Sequence, residues 1–128
     1  MKRTPVQVMG NCDMSGNVVA CNAVLYTVPA GKRLVIQYAS MEAALPVGQT
    51  ARMSIQILIG GGHFTHVLPM SAPTLPGFFT GAHYTSVAQR VRIYADEGQT
   101  VRAWVQRSDG SNGSGSATFA ISGYQRDK

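Results

Sequence analysis

Apolar and polar residues alternate along most of this chain, in short segments that are separated by turn-forming residues. In the clearest segment, 51–59, every odd-numbered residue is apolar, whereas Arg52, Ser54 and Gln56 are polar. A period of two is typical of a β-strand that buries one face and exposes the other. Because no segment of useful length follows the 3.6-residue period of a helix, the pattern predicts an all-β protein.

The alternating segments also set the number of strands. We predict strands at residues 34–39, 51–59, 63–68, 90–95, 101–106 and 117–124, and two more within residues 12–21. Strand 34–39 is apolar on both faces, which indicates a central strand. With 128 residues, 14 glycines and 6 prolines, the chain fits a single domain over 1–128. Seven or eight strands then predict a two-layer antiparallel β-sandwich of jelly-roll or Greek-key type.

The two cysteines flank a Gly-Asn dipeptide, which is the signal for a two-residue hairpin turn. If Gly16 and Asn17 form that turn, Cys12 and Cys21 face each other as a non-hydrogen-bonded pair, with Cα atoms about 4.5 Å apart. That separation allows a disulfide, so we predict a Cys-bridged hairpin at residues 12–21. Two unrelated buried thiols are the alternative.

A disulfide would place the protein in an oxidising setting, either secreted, periplasmic or at a cell surface. Lys2 and Arg3 are followed by residues 4–7, TPVQ, where a signal peptide would begin its apolar core. If the protein is exported, we therefore expect the sequence to begin after a removed signal. No apolar stretch reaches the ~18 to 20 residues of a membrane span, so we expect no membrane insertion.

Residues 25–36 contain the segment YTVPAGK, in which Pro29 ends one strand and Gly31 turns the chain into the next. Together with residues 91–96 and 121–124, it resembles small bacterial β-sandwich proteins of unknown function. The YTVPAGK element is also similar to a strand-turn-strand element of phage tail and other virion proteins. The resemblance covers about a third of the chain; it implies the fold and a virion as an alternative location, and no catalytic residue.

The net charge of +5 and the isoelectric point near 9.6 favour anionic partners over cationic ones. A nucleic-acid-binding module would add a Lys-rich tract, zinc-ligand spacing or a helix-turn-helix pattern, and the sequence has none of these. We therefore expect no nucleic-acid partner.

The three histidines are the candidates for a metal site. His63 and His66 lie three residues apart in a predicted strand, so they project to opposite faces and need a bulge to share a metal. His83 from a neighbouring strand would have to join one of them, and whether this set is functional stays open. Two cysteines without CxxC spacing supply too few zinc ligands, so we expect no metal and no cofactor.

Motifs of catalysis are also missing from the sequence. There is no GxSxG nucleophile elbow, and the glycines at 60–62 lack the Lys-Ser/Thr of a phosphate-binding loop. Paired-carboxylate catalysis has no better support, because most of the six acids lie in predicted turns or in the tail. We therefore expect a protein that is not an enzyme.

The most informative predicted surface is the outward face of a hairpin formed by segments 90–95 and 101–106. Registering Val91 with Ala103 places Arg92 opposite Arg102, an unfavourable pair of like charges. The face as a whole combines arginines with aromatic residues: Arg90, Arg92, Tyr94, Arg102 and Trp104. Such a face suits an anionic glycan, through bidentate hydrogen bonds and ring stacking, or a contact between subunits. A plain solvated sheet face is the third interpretation.

Two function classes follow from these observations. The first is a non-catalytic extracytoplasmic binding module for acidic glycans or other anionic ligands. The second is a structural self-assembly protein, a homo-oligomeric subunit of a virion, tail or surface fibre. Two further segments are predicted as loops: the proline-containing residues 69–81, which cross between sheets, and the flexible hairpin loop 108–116.

Overall fold

The structure, a computed structural model, describes residues 2–16, 18–46, 48–68, 82–108 and 113–128, and only the backbone of Ala82 and His83. These residues form eight strands. They are β1 (Arg3–Met14), β2 (Ala20–Thr27), β3 (Lys32–Pro46), β4 (Ala51–Ile59), β5 (Gly62–Leu68), β6 (Ala82–Asp96), β7 (Thr100–Arg107) and β8 (Gly115–Asp127). The alternating pattern therefore predicted the all-β class correctly, and the eight described strands agree with the predicted seven or eight. The two strands predicted within residues 12–21 are wrongly bounded, because β1 and β2 lie mostly outside that range.

The strands form two antiparallel sheets of four. Sheet A has the order β1-β8-β3-β6, and sheet B has the order β2-β7-β4-β5. The pairing is nested, because β1 pairs with β8, β2 with β7, β3 with β6 and β4 with β5. A long hairpin rolled into two sheets gives this order, which is that of a jelly roll. The predicted two-layer β-sandwich is confirmed.

The inward faces of the two sheets form the core. Met53 and Ile55 of β4 are fully buried there, opposite the inward side chains of sheet A. β3 lies between β8 and β6, and its residues Leu34, Val35 and Ile36 are all buried, which confirms the expectation of a central strand. Burial of each such side chain stabilises the fold by roughly 1.5 to 3 kcal/mol.

Of the connections between the eight described strands, only the β4–β5 turn joins neighbours within one sheet. The β6–β7 turn has the local form of a hairpin, since the Gln99 N–H donates to the Asp96 carbonyl at 3.0 Å and Gly98 has a φ of 78°. This turn nevertheless carries the chain from sheet A to sheet B.

The hairpin predicted from segments 90–95 and 101–106 is therefore wrong. β6 pairs with β3, and β7 pairs with β2 and β4, so Ala103 faces Ala23 and Ile55 instead of Val91. Arg92 and Arg102 lie in different sheets and form no like-charge pair. The turn sequence between β6 and β7 is compatible with a hairpin and with a crossing between sheets. The longer ladders to distant strands favour the crossing.

The hairpin predicted at residues 12–21 is also wrong, because β1 and β2 lie in different sheets. The disulfide itself is confirmed: Cys12 and Cys21 are bonded, with a Cα–Cα distance of 6.0 Å. It joins sheet A to sheet B across the margin of the core. β1 and β2 pack closely there, since a Cβ added to Gly10 would lie 2.7 Å from Cδ2 of Leu25.

Hydrogen bonds from Arg107 link two of the connections between the sheets. Its side chain is buried, with 2 % exposure, and its guanidinium donates to three backbone carbonyls. The acceptors are Val18 at 2.9 Å, Gly113 at 2.6 Å and Gly16 at 2.8 Å. Hydrogen bonds from a charged donor are worth about 1.5 to 3 kcal/mol each. They tie the β1–β2 connection to the β7–β8 connection at one end of the sandwich.

Of the two loops predicted from the sequence, 69–81 lies outside the described residues, and 108–116 lies partly outside them and extends too far, since Gly115 and Ser116 belong to β8. Residues 69–81 are not described, nor are residues 109–112 of the predicted loop 108–116. The latter loop is not a hairpin loop, because β7 and β8 belong to different sheets. Across the described ranges, no helix has the length and hydropathy that a membrane span requires.

Removal of the disulfide should lower the free energy of unfolding by about 2 to 3 kcal/mol, because the bond closes a loop of about ten residues in the unfolded chain. Guanidinium denaturation of a Cys12→Ser, Cys21→Ser double variant measures this loss, and wild type with reductant provides a second route to it. Unchanged stability in both would contradict a bond that holds the two sheets together.

Candidate functional site

The five residues of the predicted binding face lie on opposite sides of the sandwich. Arg90, Arg92 and Tyr94 are exposed on the outer face of sheet A, whereas Arg102 and Trp104 are half-buried on the outer face of sheet B. The core separates the two groups, so the single face predicted from the sequence is wrong. The three residues of β6 do stay together, at alternate positions of one strand.

The sheet B group is packed into its own sheet. Nε of Arg102 donates to Oε1 of Gln56 at 2.8 Å, and a second guanidinium nitrogen donates to the same oxygen. Trp104 lies in register with Ser54 of β4 and Asn22 of β2. Ser54 and Gln56, predicted to face solvent, are buried in this row. The arrangement favours a packed sheet surface over an open ligand site.

The sheet A group borders a shallow groove. The groove has two adjoining parts, of about 510 Å³ and about 430 Å³, and both are lined by Tyr38 and Ser122. Arg90 and Arg92 line the larger part. Tyr38 of β3 lies directly opposite Arg90 of β6, and its side chain is 43 % exposed. Tyr38 was missed by sequence reasoning, which assigned strand 34–39 to the interior on both faces.

A β-bulge in β3 shapes this groove. Against β8, Gln37 is an extra residue of β3; against β6, Val91 and Arg92 together lie opposite Gln37, so that the extra residue is on β6. Gln37 and Tyr38 are both exposed at consecutive positions. Gly123 of β8 permits the bulge, because a Cβ at this position would lie 1.9 Å from the carbonyl oxygen of Val35. Only a glycine allows the two backbones to approach so closely.

The edge strands of the two sheets differ in charge. The edges of sheet A are β1 and β6, and both carry charged residues or proline: Arg3, Pro5 and Asp13 on β1, and Arg90, Arg92 and Asp96 on β6. The edges of sheet B are β2 and β5, and neither strand contains Asp, Glu, Lys, Arg or Pro. Charges and prolines on edge strands oppose pairing with other chains, so sheet B lacks a protection that sheet A has.

Both edges of sheet B also expose apolar side chains. Val24 of β2 is 63 % exposed, and on β5 the exposed fractions are 60 % for Phe64 and 49 % for Val67. Within the described part of the chain, each of these strands pairs on one side only. β5 pairs with β4 over seven residues without a bulge, so its free side is regular. The register of β2 with β7 shifts between Val24 and Tyr26, so β2 is regular only on either side of Leu25. The absence of charge and proline still leaves β5, and β2 over its regular parts, as templates for further strands.

Ion pairs lie at the end of the sandwich that contains the β6–β7 turn. The Glu97 carboxylate accepts a hydrogen bond from the Gly31 N–H at 2.6 Å and lies 3.6 Å from Nζ of Lys128. Nε of Arg33 donates to Asp96 at 2.7 Å. The Gly31 N–H lowers the pKa of Glu97, and the hydrogen bond from Arg33 lowers the pKa of Asp96. Folding therefore favours the ionised form of both acids.

The histidines give no metal site among the described side chains. His63 pairs with Leu58 and His66 with Ile55, so the two project to opposite faces of β5, as predicted. The side chain of His83 lies outside the described residues. No group of three His, Cys, Asp or Glu side chains in the described ranges is placed to hold a metal ion.

Comparison with known proteins gives no family. No family model matches the sequence, and no curated protein matches it. Among solved structures, the chain is similar to the core of Drosophila NLP, which forms a pentamer and binds histones, with 13 % identity and a TM-score of 0.29 over 94 % of this chain and 99 % of that one.

A second similar structure is a protein of the Bacillus endospore appendages, a family of disulfide-linked pili. Its identity is 11 % and its TM-score 0.27, over 99 % of this chain and 91 % of that one. Because both TM-scores are low, neither similarity supports an inference about function.

Gly123→Ala should destabilise the protein by at least about 1 to 3 kcal/mol, because its methyl group would collide with the β3 backbone at the bulge. Gly60→Ala is the matched control, since a Cβ there meets nothing within 4 Å. Thermal and denaturant unfolding of both variants measure the difference. Equal stability of the two variants would contradict the close approach of β8 to the bulge.

Acid should weaken the ion-paired end of the sandwich. Because folding lowers the pKa of Glu97 and of Asp96, their contribution is complete above the ordinary carboxylate pKa and is lost as the pH falls below about 4. The carboxylates titrate between roughly pH 5 and pH 3. Over this range, the denaturant concentration at the midpoint of unfolding should therefore fall less in Glu97→Gln than in wild type.

Glu42→Gln is the control for the change in net charge, since Glu42 is an exposed acid in the middle of β3. It should keep the full acid-dependent drop of wild type. If Glu97→Gln and Glu42→Gln behave alike, the turn contacts of Glu97 do not stabilise the fold.

Proposed function

We propose that the protein is a structural subunit that assembles edge to edge, with β5 of one copy adding to β2 of the next. The observation that carries this proposal is the charge difference between the sheet edges: both edges of sheet B are free of charge and proline, and both edges of sheet A are not. Unprotected edge strands pair with strands of other chains. The proposal requires no catalytic group.

The strand directions suit a repeating contact. Neighbours within sheet B are antiparallel throughout, so β2 and β5 run in opposite directions. A second copy in the same orientation then presents its β2 antiparallel to the β5 of the first. Such a head-to-tail contact uses different surfaces on the two copies and builds a ring or an open filament. Four strands per copy give an advance of about 19 Å along the sheet.

The energy of one contact is modest. A ladder along the seven residues of β5 forms at most about seven backbone hydrogen bonds, each worth about 0.5 to 1.5 kcal/mol net, and fewer where β2 is irregular between Val24 and Tyr26. Association costs about 4 to 15 kcal/mol in lost freedom, and burial of exposed side chains such as Val24 and Phe64 offsets part of it. Because these quantities are of similar size, we expect assembly that grows with protein concentration.

The disulfide supports an oxidising setting for this assembly, since such bonds rarely persist in a reducing cytosol. A fibre at a cell surface or a virion meets that condition.

Analytical ultracentrifugation over a range of concentrations tests the contact. Wild type should form species of increasing mass. Val24→Lys on β2 and Val67→Lys on β5 should each remain monomeric alone, because each places a charge that pairing would desolvate. Ala88→Lys adds the same charge to the exposed face of β6 in sheet A and should assemble as wild type does.

A mixture of the two lysine variants gives the sharpest result. Val24→Lys keeps an open β5 and Val67→Lys keeps an open β2, so equal amounts should form 1:1 dimers and nothing larger. If Val24→Lys dimerises alone, the contact joins β5 to β5 instead. A wild type that stays monomeric at every concentration contradicts the proposal.

A further inference from the structure

We infer that the groove beside Arg90 and Arg92 on sheet A binds an acidic sugar, with the arginines holding its carboxylate. This site is not the hairpin face predicted from the sequence. It lies wholly on sheet A and is built by β3, β6 and β8 around the bulge at Gln37. The larger part of the groove, about 510 Å³, falls in the range of ligand sites.

The charge at this site is not neutralised by the protein. In the described part of the chain, neither Arg90 nor Arg92 has a hydrogen-bond or ion-pair partner. The nearest acid on the same strand as Arg92 is Asp96, which is bonded to Arg33. On β3, Glu42 lies about 13 Å along the strand from Tyr38. The two guanidiniums are therefore free to bind a carboxylate in the bidentate manner.

The rest of the groove suits a sugar ring. Tyr38 lies beside Arg90 and is partly exposed, so its ring can pack against the apolar face of a pyranose. Gln37 and Ser122 line the same space and offer amide and hydroxyl groups to sugar hydroxyls. An aromatic face, hydroxyl-bonding groups and two free cations together match a uronic acid.

Nucleic acid fits this site less well. Proteins that bind it neutralise roughly 6 to 10 phosphates, and the groove offers two free cations. A short acidic oligosaccharide needs no more than one or two arginines. The expected salt dependence is correspondingly shallow, but it is not zero, because both arginines are exposed.

The site is independent of the proposed assembly. It lies on the outer face of sheet A, and the assembly uses the edges of sheet B. Sheets in a sandwich pack about 10 Å apart, so a substitution at one place leaves the other unaltered. If copies do assemble, they would display the groove once per subunit and bind a long acidic chain with avidity.

Isothermal titration with trigalacturonate and with neutral cellotriose tests the inference. Wild type should bind trigalacturonate and not cellotriose, and binding should weaken as salt rises from 0.1 M to 1 M, since the Debye length falls from ~10 Å to ~3 Å. Arg90→Gln and Arg92→Gln should each weaken binding about tenfold or more, because each removes a charge-assisted bond. Tyr38→Leu should weaken it without changing the salt dependence.

Arg52→Gln is the matched control, because it removes the same charge from an exposed position on sheet B. It should alter the affinity by no more than about twofold. Sedimentation of each variant should show the same assembly as wild type. The test of sugar binding is then separate from the test of the edge-to-edge contact. Four outcomes would overturn the inference: a wild type that does not bind trigalacturonate more tightly than cellotriose, an equal loss in Arg52→Gln, full binding by the Arg90→Gln, Arg92→Gln double variant, or tighter binding of a short single-stranded DNA.

Discussion

The nested order of strand pairing is the constraint on which the rest of the molecule depends. Strands equally distant from the β4–β5 turn hydrogen-bond to each other, so the first described strand pairs with the last. Each other connection between described strands must then cross from one sheet to the other. The Cys12–Cys21 disulfide and the three carbonyl bonds of Arg107 hold two of these crossings, β1–β2 and β7–β8. They couple the two sheets where no backbone ladder can.

The same order decides which surfaces are available. It brings β3, β6 and β8 together in sheet A, where the bulge at Gln37 and the glycine at 123 open a groove beside two unpaired arginines. It also leaves β2 and β5 at the edges of sheet B, and these are strands without charge or proline. One side of the protein is therefore suited to a ligand, and another to a neighbouring copy.

The sequence predicted local features well and distant pairing poorly. A period of two identified the strands, because it depends on residues close in the chain. The disulfide was predicted correctly, but from a hairpin at Gly16 and Asn17 that does not form: the two cysteines lie in different sheets, with Cα atoms 6.0 Å apart. The turn at Asp96–Gln99 and the connection after Met14 look like hairpin turns from their sequence, and only the ladders to remote strands show that they cross between sheets. That error joined Arg92 to Arg102 on one face. Tyr38 was missed since a bulge depends on Gly123, far along the chain.

Hydrogen–deuterium exchange at low and high protein concentration tests the edge-to-edge assembly most directly. Because a new strand would occupy the free N–H groups of β2 and β5, their amides should exchange more slowly as the concentration rises. The amides of β1 and β6, whose strands carry charge or proline, should exchange at the same rate throughout. Slower exchange confined to β1 and β6, or no dependence on concentration anywhere, would contradict the account.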